Sequence, residues 1–211
     1  MSDEKIRVAE AFLERTLCQK NRDRRTVALR HICEEAVDIA KGCDSCLDLR
    51  LPVAAATLNR ALFERLIYAK WAAEAEENAI RFSEAALEEA ARQLRKMLDR
   101  GVGKVIRKSS KEDFTAEFRK SETFKELRRP PGFEEMARIA GIEDIYLKLY
   151  GMMSMAAHGT SFDMPSDADR LLYITSNAMP ALLSSITAVC EAWYSRKRTL
   201  TRKDLVDHLK I

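Results

Sequence analysis

The stretch "LNRALFERLIYAKW", residues 58 to 71, decides the fold class. At about 100 degrees per residue on a helical wheel, one sector is apolar and consists of Leu58, Leu62, Leu66 and Ala69. The opposite sector holds Ile67 and Trp71, and it also holds Arg60 and Glu64. A helix with two apolar sectors is expected to pack against neighbours on both sides. This pattern is typical of the central helix of an all-α protein.

The residues around this stretch extend it into a long helix. Pro52 suits the first turn, where a backbone N–H has no partner within the helix. Apolar residues continue at helical spacing to Leu98, and Gly101 and Gly103 then provide a stop. The sequence therefore predicts one helix over about residues 53–99. Only 7 Gly and 5 Pro interrupt the 211 residues, and no segment alternates as a strand does, so we predict an all-α, four-helix-bundle-like core with short additional helices.

The remaining segments complete this organisation. Further helices are predicted over about residues 26–50, 133–141, 143–158 and 167–195. Thr201 and Asp204 form a capping box that opens a short C-terminal helix over about residues 202–209. The highly charged segment over about residues 101–132 is predicted to form short helices or a mobile loop. We expect a single helical domain over residues 1–211, with its core over about residues 25–195.

Arg60 and Glu64 are polar residues in an apolar sector. A lone buried charge costs several kcal/mol, so two charges placed there should be paired and hydrogen-bonded. Their spacing of four residues brings the side chains within reach of each other on a helix. The pair has two plain explanations: a structural ion pair, or an Arg whose charged end reaches water. A functional role is the third explanation.

A second polar group lies in "YLKLYGMMSMAAHGTSF", residues 146 to 162. Tyr150, Ser154 and His158 follow one another at intervals of four residues in an apolar helix. Gly151 in the middle of this helix costs about 1 kcal/mol relative to Ala, so we expect something to approach closely there. His158, followed by Gly159, also suits a helix end, where an imidazolium is favoured by the free carbonyls.

The two motifs together resemble a known family. "LNRALFE" and "YLKLYGMMSMAAHG" are similar to the R-x-x-x-E helix and the later Y-x-x-x-S-x-x-x-H helix of an uncharacterised bacterial all-helical family, a domain of unknown function. The resemblance covers roughly residues 25–195. It implies that five residues form one polar cluster, and it implies no activity. The cluster consists of Arg60, Glu64, Tyr150, Ser154 and His158, and no catalytic role is assigned to any of them.

Composition and cysteine usage indicate a cytoplasmic protein. The net charge of +3 neither requires nucleic acid nor excludes it. The five cysteines are an odd number without the spacing of a disulfide framework, so we predict reduced thiols. "MSDEKIR" lacks the apolar core of a signal peptide, and we expect no uncharged apolar run long enough to cross a bilayer.

No metal or cofactor is expected. "CDSC", residues 43 to 46, lies deep in a predicted helix, whereas thioredoxin-like chemistry places this motif at a helix N-terminus after a strand. His31 and Cys33 are two residues apart and project to nearly opposite faces of that helix, so they do not complete a zinc site with it. No glycine-rich phosphate loop occurs. Basic stretches such as "KVIRKSSK" are more typical of a solvated surface, and they indicate nucleic-acid binding only weakly.

Two functions remain open. The favoured hypothesis is an interaction or regulatory module whose polar cluster is structural or binds a small polar ligand. Its partner is unknown, with a protein or a second copy of the chain considered and no membrane expected. The alternative is a metal-independent hydrolase or ribonuclease in which His158 is the general acid/base and Arg60 stabilises an oxyanion or phosphate. Arg24 and Arg25 precede His31 at the spacing of one helical ribonuclease family, but an Arg-rich chain produces such a match by chance.

Overall fold

The chain is all-α in the computed structural model, which describes residues 2–17, 23–120, 131–157, 165–196 and 201–209. These residues form the helices α1 Ser2–Leu17, α2 Arg24–Asp48, α3 Pro52–Glu74, α4 Glu76–Asp99, α5 Thr115–Lys120, α6 Phe133–Ile139, α7 Glu143–Ala157, α8 Pro165–Arg196 and α9 Arg202–Leu209. Over these ranges there is no strand, and one isolated antiparallel bridge joins Ile106 and Asp113. The predicted all-α class is confirmed.

Helix α3 is the centre of the packing. It lies against α2, α8, α7 and α6, and α1 packs on α2 and α8. Both sectors of the wheel are covered, because residues of each are fully buried: Leu62, Leu66, Ile67 and Trp71. At about 1.5–3 kcal/mol for each large apolar side chain removed from water, this helix contributes much of the core energy.

The predicted helix over residues 53–99 is two helices. α3 ends at Glu74 and α4 begins at Glu76, because Ala75 between them is extended, with φ −147° and ψ 148°. The Asn78 side-chain amide donates to the carbonyl of Trp71 at 2.9 Å, and the Asn78 backbone N–H donates to Ala75 at 3.2 Å. These bonds satisfy backbone groups at the junction that a continuous helix would have paired. The prediction of one continuous helix was therefore wrong, and the sequence has no Gly or Pro at the break that would have indicated it.

The chain divides into two compact units, residues 1–79 with 131–211 and residues 80–130. The first unit contains α1–α3 and α6–α9. The second contains most of α4, the hairpin around the bridge of Ile106 and Asp113, and α5. At the C-terminal end of the first unit the predicted capping box is confirmed, because the Thr201 hydroxyl donates to Asp204 at 2.8 Å and accepts from the Asp204 N–H at 3.3 Å.

We expected no apolar run long enough to cross a bilayer, and helix α8 contradicts this expectation. Over Asp167–Ser195 it is long and apolar enough to do so by length and composition, with a mean hydropathy of 1.2 in its most apolar window. The reason is that residues 171–190 contain no charged side chain. Half of that window is buried inside the molecule. Leu183, Ile186 and Val189 are fully buried.

Candidate functional site

Arg60 makes two side-chain hydrogen bonds, one within α3 and one that connects α3 to α7. Its Nε donates to Glu64 Oε1 at 3.2 Å, and one of its terminal nitrogens donates to the hydroxyl oxygen of Tyr150 at 2.6 Å. The guanidinium carbon also lies 4.9 Å from the centre of the Tyr150 ring, within cation–π range. Glu64 and Tyr150 therefore hold the guanidinium in one orientation.

The cluster is open to solvent. The side chains of Arg60 and Glu64 keep 23% and 20% of their surface exposed, and Tyr150 is half-buried. The two apolar sectors of α3 explain this position, because the pair lies on the sector that α7 covers only in part. The ion pair is consequently neither a surface pair nor a sealed one.

Aromatic rings from three helices form a wall beside the pair. Tyr146 stacks on Tyr150 with ring centres 4.7 Å apart, and Phe133 of α6 lies 6.4 Å from Tyr150. Phe133 meets Tyr68 of α3 edge-on at 5.2 Å. We call Tyr68, Phe133, Tyr146 and Tyr150 the aromatic wall. Neither Phe133 nor Tyr146 was predicted as a site residue. Phe133 lies outside the motifs, and Tyr146 begins the quoted stretch but precedes its spaced polar positions, so only the packing of α6 and α7 on α3 brings the two rings here.

Two phenols of the aromatic wall are held in the neutral form. Burial raises the pKa of Tyr68, with a smaller opposing effect from the positive charge of Arg65. Burial also raises the pKa of Tyr146, and the neighbouring Tyr150 adds to the increase. A raised tyrosine pKa keeps these hydroxyl groups protonated, so they act as hydrogen-bonding groups and not as bases.

Ser154 follows Tyr150 by one turn of α7 and is half-buried. On the same side of the helix, Leu147 is 61% exposed and Gly151 is also exposed. A Cβ added at Gly151 would meet no atom of the described residues within 4 Å, so none of them makes the predicted close approach at this glycine. His158 lies outside the described residues. The structure therefore brings Arg60, Glu64 and Tyr150 together and places Ser154 beside them.

The arrangement has one donor and one acceptor left for a ligand. Tyr150 accepts from Arg60, and within the described ranges no residue accepts the hydrogen of the Tyr150 hydroxyl. Glu64 uses Oε1 for Arg60, and its other carboxylate oxygen has no partner in the same ranges. The charges of Arg60 and Glu64 offset each other. This balance favours hydrogen bonding to a polar molecule over the capture of a strong anion.

Other charged groups of α3 were missed by the sequence analysis. Lys70 is only 3% exposed and pairs with Glu74 one turn later. Arg65 Nε lies 2.9 Å from Glu35 Oε2 of α2, an ion pair without good hydrogen-bond geometry. His31, 60% exposed, lies 3.5 Å from the other oxygen of Glu35. The position of Lys70 directly before Trp71 in an apolar stretch was the available signal for its burial.

The cysteine motif is a structural feature of α2. The Cys43 thiol is buried and donates to the carbonyl of Ala55 at 3.4 Å, whereas Cys46 is half-buried. Burial raises the pKa of Cys43 to about 12, so it is not a reactive thiolate at neutral pH. Where the chain is described, no group of three or more His, Cys, Asp or Glu residues is placed to hold a metal ion.

Comparison with known proteins assigns the chain to a family. No curated protein and no solved structure matches it. The model of the Family of unknown function (DUF5677) matches residues 27–170, which is more than half of the chain. The matched range includes all five residues of the predicted polar cluster. The chain therefore belongs to the family of unknown function DUF5677.

Proposed function

We propose that this protein is a cytoplasmic interaction or regulatory module with a four-helix-bundle-like core, and that the cluster of Arg60, Glu64 and Tyr150 binds a small polar ligand. The observation that carries the proposal is the hydrogen bonding of the Tyr150 hydroxyl. Its oxygen is occupied by Arg60 at 2.6 Å, and over the described ranges no residue accepts its hydrogen.

The partial exposure of the cluster supports a binding role over a purely structural one. An ion pair that serves only the core gains most from full burial with all its hydrogen bonds satisfied. Here about a fifth of the Arg60 and Glu64 side chains faces solvent, and one oxygen of Glu64 has no partner among the described residues. Binding sites for small molecules commonly combine an apolar or aromatic lining with a few oriented polar groups. The aromatic wall and the cluster provide these two parts.

The ligand we expect has a hydrogen-bond acceptor for Tyr150, a donor for Glu64 and a flat or apolar part. The acceptor would take the Tyr150 hydrogen, and the donor would reach the second oxygen of Glu64. The flat part would lie against Tyr146 or Phe133. Because Glu64 offsets the charge of Arg60, a neutral or zwitterionic molecule fits better than a phosphate-rich one.

A ligand screen tests this proposal. Purified protein is heated with individual amino acids, nucleosides and dicarboxylates, and its melting temperature is followed by fluorescence. A ligand present at 100 times its Kd stabilises the folded chain by about 2.7 kcal/mol. We expect at least one compound to give a saturable increase. Tyr150→Phe should abolish that increase, because it removes the hydroxyl and nothing else.

Tyr173→Phe is the matched control, since Tyr173 lies on α8 with 72% of its surface exposed. It should leave the ligand-induced increase unchanged. Absence of a saturable increase with every compound would contradict the small-ligand proposal. An increase that persists in Tyr150→Phe would place the binding site elsewhere.

The cytoplasmic assignment rests on the thiols. Cys33, Cys43, Cys46 and Cys190 are free, and three of them are buried. Cys190 donates to the carbonyl of Leu29 at 3.4 Å, and its pKa is raised by a hydrogen bond with Cys33 and by burial. Neighbouring thiols of this kind persist in a reducing compartment.

The hydrolase alternative remains a prediction. It needs Arg60 to stabilise an oxyanion, yet Glu64 and Tyr150 occupy two of its donor groups. The position of His158 decides whether a general acid/base stands near Ser154 and Tyr150.

A further inference from the structure

We propose that the second compact unit carries a binding surface for a nucleic-acid duplex, which it contacts through the phosphate backbone. The charge of the chain is concentrated there. Residues 80–130 contain 14 Lys and Arg against 9 Asp and Glu, a net charge of +5, whereas the whole chain carries +3. The rest of the chain is therefore slightly acidic. A concentration of positive charge in one unit is the electrostatic signature of a polyanion partner.

The cations of this unit come from three elements that are tied to one another. Arg119 of α5 donates to the carbonyl of Leu98 and lies 3.8 Å from Asp99, both at the end of α4. One bond joins the hairpin to α5, from the Val105 N–H to the Thr115 hydroxyl at 3.0 Å. Just before α5, the Phe114 N–H donates to the Val105 carbonyl at 2.7 Å within the hairpin. The end of α4, the hairpin and α5 are thus tied together, and their exposed cations make up the surface that we propose.

The basic surface, as we call it, consists of Arg100, Lys104, Lys108, Lys111 and Lys120, all of them exposed. Lys104 lies 3.4 Å from Asp113, a weak and exposed ion pair. In the described part of the unit, none of the other four side chains has an acidic partner. Their charges are therefore available for phosphates. At Lys111 the backbone turns sharply, with φ 63°, and its N–H bonds the carbonyl of Arg107 at 2.8 Å.

The aromatic content of the second unit favours a duplex over two other partners, a single strand and a membrane surface. Proteins that hold single strands stack exposed aromatic rings on the bases, and proteins that rest on a membrane place Trp or Tyr at the interface. Residues 92–120 contain neither Trp nor Tyr. Phe114 and Phe118 are half-buried, and Arg107 covers the ring of Phe114 at 4.4 Å. Exposed cations without exposed rings fit contact with phosphates alone.

The test measures binding of the full chain to a fluorescent DNA duplex of about 20 base pairs as a function of salt, since each neutralised phosphate contributes about −0.9 to the slope of log K against log salt. With up to five contacts we expect a slope of about −3 to −4.5. Lys108→Glu/Lys111→Glu should reduce the size of the slope by about 2 and weaken binding at least about tenfold. Both side chains are exposed, so the melting temperature should not change.

The control variant is Arg24→Glu/Lys203→Glu, which changes the net charge by the same amount at exposed sites of the first unit. It should keep the duplex affinity within about twofold. Equal loss in both variants would show a non-local charge effect and overturn the proposal. So would tighter binding to a single-stranded RNA of the same length. Val102 and Ile106 are exposed aliphatic residues in this unit. Vesicles of phosphatidylserine that bind the protein when the duplex does not would therefore identify a lipid surface instead.

Discussion

Replacing Arg60 by Ala tests the energetic role of the cluster. The change removes the hydrogen bond to Glu64, the hydrogen bond to Tyr150 and the cation–π contact. It leaves the Glu64 carboxylate without its partner, with only 20% of that side chain exposed. The lost contacts and the unpaired carboxylate both destabilise the folded chain. The carboxylate does so because it is largely removed from water in the folded state and regains its solvation on unfolding.

The degree of exposure determines the magnitude. Breaking a fully buried ion pair costs about 3–5 kcal/mol, whereas exposed pairs contribute about 0.2–1 kcal/mol. The pair here lies between these limits. We therefore expect Arg60→Ala to lower the free energy of unfolding by about 2 kcal/mol. For a chain of this size that corresponds to a decrease in melting temperature of roughly 4–8 °C.

The assay is urea unfolding and thermal melting followed by circular dichroism, with Arg7→Ala as the matched control. Arg7 pairs with Asp3 at the same four-residue spacing and at 2.9 Å, but the two side chains are 76% and 71% exposed. Its removal should cost less than about 1 kcal/mol. In a double-mutant cycle, Glu64→Gln should be less destabilising in the Arg60→Ala background, with a coupling energy of about 1 kcal/mol.

Two results would refute this reasoning. If Arg60→Ala unfolds at the same urea concentration as Arg7→Ala, the pair behaves as a surface pair and its partial burial has no energetic consequence. If the double-mutant cycle shows no coupling, Arg60 and Glu64 do not interact in solution, and the orientation of Tyr150 by Arg60 loses its support.

Two further predictions concern the thiols and His158. All five cysteines should react with a thiol reagent once the chain is unfolded without reductant, and fewer than five would contradict the cytoplasmic assignment. In the folded chain Cys46 should be alkylated before Cys43, because burial raises the pKa of Cys43 to about 12. The stability that Cys43 contributes as a buried neutral thiol is complete below pH 9.0, and it declines as the pH rises towards 12. His158→Gln should keep the fold, and if His158 is a general acid/base it should lower any hydrolytic rate by about 10²–10⁴. Single-stranded RNA that stays intact over hours without divalent metal would refute the ribonuclease version, and cleavage that survives the substitution would direct attention to His31.

Much of the helical architecture was predictable because it depends on local chemistry. Pro52 begins α3, Thr201 and Asp204 cap α9, and the stretch over residues 58–71 shows two apolar sectors that are both buried. The proximity of Arg60 and Glu64 also follows from spacing alone, since residues four apart face each other on a helix.

Other features depend on contacts between distant parts of the chain. The break at Ala75 interrupts an apolar pattern that continues across it, so periodicity could not locate it. Gly151 was expected to receive a neighbour, but α7 turns that side to solvent. A lysine is normally exposed because water solvates its charge, so the burial of Lys70 depends on its pairing with Glu74.

The sequence by itself determined the fold class, most helix ends and the pairing of Arg60 with Glu64, because hydrophobic periodicity, capping and i, i+4 spacing act within one helix. Only the tertiary structure decided that Tyr150 accepts from Arg60, that Tyr146 and Phe133 lie beside Tyr150, and that Arg119 ties α5 to the end of α4. Such contacts depend on how α6 and α7 pack on α3 and how α5 folds back on α4. Packing of this kind is set by the shapes of several helices together, and no single stretch of residues encodes it.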